Sequence, residues 1–84
     1  MLPICDHARF EMERRGITEE MIKDVYDHPE QKIRVTEGRE IWQNKIELGE
    51  KSYVLRLVVD LKPTRRIVTV YKSSKASKYW RDDS

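Results

Sequence analysis

The sequence predicts an α+β fold, with two N-terminal helices packed on one face of a four-stranded antiparallel sheet. Apolar residues recur at helical spacing as far as Tyr26, and from Lys32 onward they alternate with polar ones. Short turn signals separate the alternating segments, and consecutive strands joined by short turns form an antiparallel meander. With 84 residues the chain is expected to be a single domain, 1–84. A chain this short buries only roughly 60% or slightly more of its unfolded surface, enough for two layers but not for a deep cavity.

The first helix is expected at about 6–15, with Asp6 as its N-cap and Gly16 as its stop. Cys5, Ala8 and Met12 form its narrow apolar stripe, while His7, Glu11 and Arg14 lie on another flank. Glu11 and Arg15, spaced i,i+4, support it. The second helix, about 19–28, is capped by Thr18 and carries Glu19 and Glu20 in its first turn. Met21, Ile22, Val25 and Tyr26 make its apolar face, Glu19 and Lys23 can pair, and Pro29 ends it. Strands follow at about 32–37, 40–48, 52–61 and 65–72, then a basic C-terminal tail, 73–84. Gly38, Gly49 and "KPT" at 62–64 mark the turns. The third strand, "YVLRLVVDL", is apolar enough to be central, with Arg56 and Asp60 on the face opposite Leu55 and Leu57. On the last strand Val68 and Val70 are expected to face the helices. Thr69, Tyr71 and Arg65 are then expected on the open face of the sheet.

Hydrophobic and charged residues each make up 38% of the chain, a modest core inside a charged surface. Cys5 is the lone cysteine, which excludes an internal disulfide and a cysteine metal site, and a reducing compartment fits. The first ten residues lack the basic start and apolar run of a signal peptide, and no apolar run approaches the ~20 residues a membrane span needs. A cytoplasmic protein with no membrane partner, metal or cofactor is therefore expected.

Net charge is +2, but it is unevenly distributed. Residues 1–31 hold four Lys/Arg against eight Asp/Glu, and residues 32–84 hold thirteen against seven. From Lys62 to Arg81 there are seven bases, three aromatic residues and no acid. Lysines discourage strand-to-strand association at a sheet edge. That role does not require this many cations interleaved with Tyr71, Tyr79 and Trp80. Cations beside aromatic platforms suit single-stranded RNA, whose phosphates pair and whose bases stack. They also suit an acidic protein. Either function requires the cations to gather on one exposed surface.

"HARFEMERRGIT" at 7–18 and "IVTVYKSSKASKY" at 67–79 resemble the opening and the closing strand of a widespread small domain of unknown function. His7, Ala8, Met12, Arg15, Gly16 and Ile17 match its first motif, and the similarity spans about 7 to 79. The chain departs from the pattern at Glu11, where an arginine is expected, so no cation is expected one turn beyond His7. By fold that family is similar to RelE/ParE- and BrnT-like toxins, some of which are endoribonucleases restrained by an antitoxin chain. The resemblance implies a toxin-like, RNA-interacting protein with RNA or the ribosome as target and an antitoxin or other acidic protein as partner.

Metal-independent RNA cleavage needs a base near the 2′-hydroxyl, an acid near the leaving oxygen and cations around the phosphate. His7, Tyr71 and Tyr79 are the candidate catalytic residues. Arg15, Arg56, Arg65, Lys75 and Lys78 are the candidate phosphate contacts. Each also has a structural role to weigh. His7 suits first-turn packing, Arg15 a helix C-terminus, and Arg56 a pair with Asp60 or a glutamate across the strand. His28 precedes a proline in a loop, Trp42 belongs in the core, and Cys5 is a small buried apolar residue. The alternative to an RNA-interacting protein is a non-catalytic module whose basic face docks an acidic partner.

Overall fold

The computed structural model describes residues 2–81. The predicted fold class is observed, an α+β plate of 37 × 32 × 18 Å. Helices α1 (Asp6–Arg15) and α2 (Glu19–Asp27) precede strands β1 (Gln31–Thr36), β2 (Arg39–Leu48), β3 (Lys51–Asp60) and β4 (Arg66–Ser73), and one-turn helix α3 (Ala76–Tyr79) follows. The strands form one antiparallel sheet in the order β1-β2-β3-β4.

Local chemistry places the helix ends. Gly16 adopts φ +68°, which a side chain resists, and its N–H closes α1 onto the Met12 and Glu13 carbonyls. Cys5, not Asp6, occupies the N-cap of α1; Asp6 is the first helical residue, where its charge suits the helix dipole. Thr18 Oγ1 accepts the Met21 N–H at 3.2 Å and caps α2. Lys23 pairs with Asp27 rather than with Glu19, because Arg9 of α1 reaches Glu19 at 3.0 Å.

Both helices lie on one face. Ala8, Met12, Ile22 and Val25 meet Trp42, Leu55, Leu57, Val59, Ile67 and Val70 in one buried cluster. Val70 faces the helices as expected, but Val68 does not. Val59 pairs with Ile67 and Val58 with Thr69, so Val68 is an extra residue in β4. A bulge of one residue inverts the alternation on its N-terminal side. Ile67 therefore enters the core, and Arg65 swings to the helix layer, with its guanidinium 5.4 Å from the Trp42 ring.

The second face is crossed by rows of paired residues. Lys45–Val54–Ser73 make one row. Gln31–Gln43–Arg56–Tyr71 make the next, then Ile33–Ile41–Val58–Thr69, then Arg39–Asp60–Arg66. The segment expected as a basic tail folds back over this face as far as Arg81. Tyr79 and Trp80 lie against Arg56 and Lys45, and Val54, Gln43 and Arg56 are buried there. Asp82, Asp83 and Ser84 of the predicted tail lie outside the described residues.

Candidate nucleic-acid interface

The second row of this face holds the most unusual group in the protein. Arg56 sits mid-strand in β3, 7% exposed. Its Nε–H donates to Gln43 Oε1 at 2.8 Å, and Nη1 donates to Tyr71 Oη at 2.5 Å. Gln43 in turn donates from Nε2 to Gln31 Oε1 at 2.7 Å and to the Tyr79 carbonyl at 3.0 Å. The guanidinium lies 4.3 Å from the Tyr79 ring centroid and 5.4 Å from that of Tyr71, and the two rings meet edge to face at 6.1 Å. Among the described residues Arg56 has no carboxylate within salt-bridge distance. Asp60, the partner expected for it, is held by Arg39 at 2.6 Å and Arg66 at 3.8 Å.

A guanidinium carries five N–H donors in a fixed fork, and two of those on Arg56 are engaged. Nη2 makes no hydrogen bond among the described residues. The result is a cation oriented by neutral partners, desolvated by two rings and without a carboxylate among the described residues. Such a group attracts an anion more strongly than an exposed arginine does, because less solvent screens it.

Other cations surround it. Lys78 Nζ lies 5.3 Å from the Tyr79 ring, and Lys45 Nζ lies 4.6 Å from the Trp80 ring. Arg81 is tied to Gln31 through its backbone: its N–H donates to Gln31 Oε1 at 3.0 Å, and its carbonyl accepts from Gln31 Nε2. Lys75, exposed, opens α3 and donates its N–H to Ser73 Oγ.

The other predicted residues are dispersed. His7 is exposed on α1, in the helix layer, so the sheet separates that layer from the face where Tyr71 and Tyr79 pack. Arg15 belongs to the same layer: its Nε–H donates to Glu11 Oε1 at 2.7 Å, and its carbonyl accepts from Lys72 Nζ. Arg65 is there too, over Trp42. The acid-free run thus divides between two faces and does not form one cluster, because Arg65 and Lys72 point to the helices. Glu11, the departure from the expected arginine, is 7% exposed. The Arg15 hydrogen bond holds its carboxyl below the usual range against the opposing effect of burial, with Arg14 and His7 adding to the lowering.

Gln31, Gln43 and Lys45 belong to the site and were not singled out from sequence, whereas Trp80 was expected among the aromatic residues of the basic run. Gln43 and Lys45 did stand on the face opposite Trp42 in the alternation, and that was the available signal. Comparison with family models, curated proteins and solved structures returned no match. Among the described residues no helix is long and apolar enough to cross a membrane.

Proposed function

We propose that this is an RNA-interacting protein that binds single-stranded RNA across the α3 face, with a phosphate at Arg56. The observation that carries the reading is Arg56 itself: buried, aimed by Gln43 and Tyr71, and without a carboxylate among the described residues. Lys45, Lys78 and Arg81 supply further positive charge, and the partly exposed Tyr79 and Trp80 offer rings on which bases stack. The arrangement favours binding over cutting. Tyr71 and Tyr79 place hydroxyl-bearing rings beside the cation, but His7, the expected neutral-pH base, stands in the other layer. A toxin-like role follows from this reading through RNA or ribosome capture, and cleavage would fall to the tyrosines.

Fluorescence anisotropy with a labelled single-stranded RNA tests it. Wild-type protein binds, and affinity falls steeply between about 50 and 200 mM salt as counterions are released. Arg56→Met weakens binding by about tenfold, the loss of one charge-assisted contact. Stability falls by about 1–3 kcal/mol, because the buried Gln43 Oε1 loses its donor, and a thermal melt checks that the variant is folded at the assay temperature. Undiminished binding by Arg56→Met, or by the exposed pair Lys45→Glu/Lys78→Glu, contradicts the assignment.

A further inference from the structure

The two outer edges of the sheet are not alike. Beside β4 runs the N-terminal segment: Ile4 bridges Ile67 in parallel, the Ile67 N–H donates to the Pro3 carbonyl at 2.8 Å, and the Cys5 N–H donates to the Ile67 carbonyl at 3.1 Å. Beside β1 there is no strand among the described residues. Every second residue of an edge strand points its N–H and C=O away from the sheet, ready to pair with an extended chain. A shallow groove of about 410 Å³ runs along this edge, lined by Gln31, Lys32, Ile33, Arg34 and Arg81. Among the described residues its charged side chains are all cations. Lys32 and Arg34 are exposed and share the helix side with Trp42 and Glu40, while Ile33 is half-buried on the opposite side with Ile41.

We infer that the β1 edge receives an extended acidic segment of another protein, added to the sheet as a fifth strand over Gln31–Arg34. Such a segment alternates acids, set beside Lys32 and Arg34, with apolar residues that cover Ile33. Charge argues against a second copy of this chain. Antiparallel pairing of two β1 edges centred on Ile33, with helices on the same side, sets Lys32 opposite Arg34 of the second copy, and like charges directly opposite are destabilising. Nucleic acid lacks the peptide ladder that the edge would complete. The charges alone would protect the edge; the groove and the half-buried Ile33 between them supply what a partner strand needs. This surface adjoins the Arg56 site and shares Gln31 and Arg81 with it, but Lys32 and Arg34 lie on the helix side and belong to the edge alone, so a variant of those two separates the two readings.

The probe is a synthetic peptide, acetyl-Glu-Val-Glu-Val-Glu-Val-Glu-amide, titrated into labelled full-length protein and followed by amide NMR shifts. The largest shifts are expected at Gln31–Arg34. The exposed double variant Lys32→Glu/Arg34→Glu weakens binding by at least about tenfold through lost charge complementarity, with circular dichroism confirming its fold. N-methylation of the peptide, at all valines in one version and all glutamates in another, abolishes binding in one of the two, because only one set of amides faces the edge. Overturning results are equal binding of the corresponding Lys-Val peptide, unchanged affinity of the double variant, binding that survives both methylation patterns, or shifts centred on the α3 face. A protein that dimerises through β1 and excludes the peptide also overturns it.

Discussion

Arg56 was conspicuous in the sequence because an arginine interrupts an otherwise apolar strand. Its environment was not. The expected partner was an acid across the strand; the actual hydrogen-bond partners are Gln43 and Tyr71, brought into register by the pairing of β2, β3 and β4. Asp60, Glu11 and Asp27 are paired with other cations, and that has a consequence for pH. Arg15 holds the Glu11 carboxyl below its ordinary value of 4.5, and Arg39 holds Asp60 below its ordinary 3.8. Lys23 does the same for Asp27. A carboxyl with a lowered folded-state value binds fewer protons than in the unfolded chain, so its stabilisation is complete above the ordinary value and is lost as pH falls through the lowered one. Thermal melts from about pH 5 down to about pH 2.5 should show a falling Tm, and Glu11→Gln should flatten part of that fall. Parallel curves for wild type and variant would remove Glu11 from the account.

Among the elements, the helices and strands follow from period, caps and turns, which are local properties of the chain. Two features escaped because they are not local. The bulge at Val68 leaves no mark in the alternation of β4 itself; it appears only where Val59 pairs with Ile67. That single extra residue sends Arg65 to the helices and Ile67 into the core. The second feature is α3. A four-residue helix has no period to read, and its position is set by Tyr79 and Trp80 packing on Arg56 and Lys45. The segment is therefore structural as well as basic. Truncation after Ser74 should uncover Val54, which is fully buried, and cost about 1–3 kcal/mol in urea unfolding, the scale of exposing one valine. It should also weaken RNA binding by removing Lys75, Lys78 and both stacking rings. Unchanged stability would mean that α3 does not pack on the sheet.

The whole molecule is two layers of different character. On the helix layer Arg9, Arg15 and Lys23 are paired with Glu19, Glu11 and Asp27. On the opposite face the central cation has no carboxylate partner among the described residues, and Asp60, two rows away, is taken by Arg39 and Arg66. Charge totals along the chain pointed to this polarity, with an acidic first part and a basic second part. They did not reveal that Arg65 and Lys72 of the basic run turn to the helix side, since a strand sends its side chains both ways. What remains on the α3 face is a smaller and better organised cluster than the composition suggests. Titration of labelled full-length protein with single-stranded RNA, followed by NMR, tests that cluster most directly. The side-chain Nε–H resonance of Arg56 and the amides of Gln43, Tyr71 and Tyr79 should shift together and saturate together. Shifts confined to α1 and α2, or an Arg56 resonance unmoved at saturation, would contradict the account.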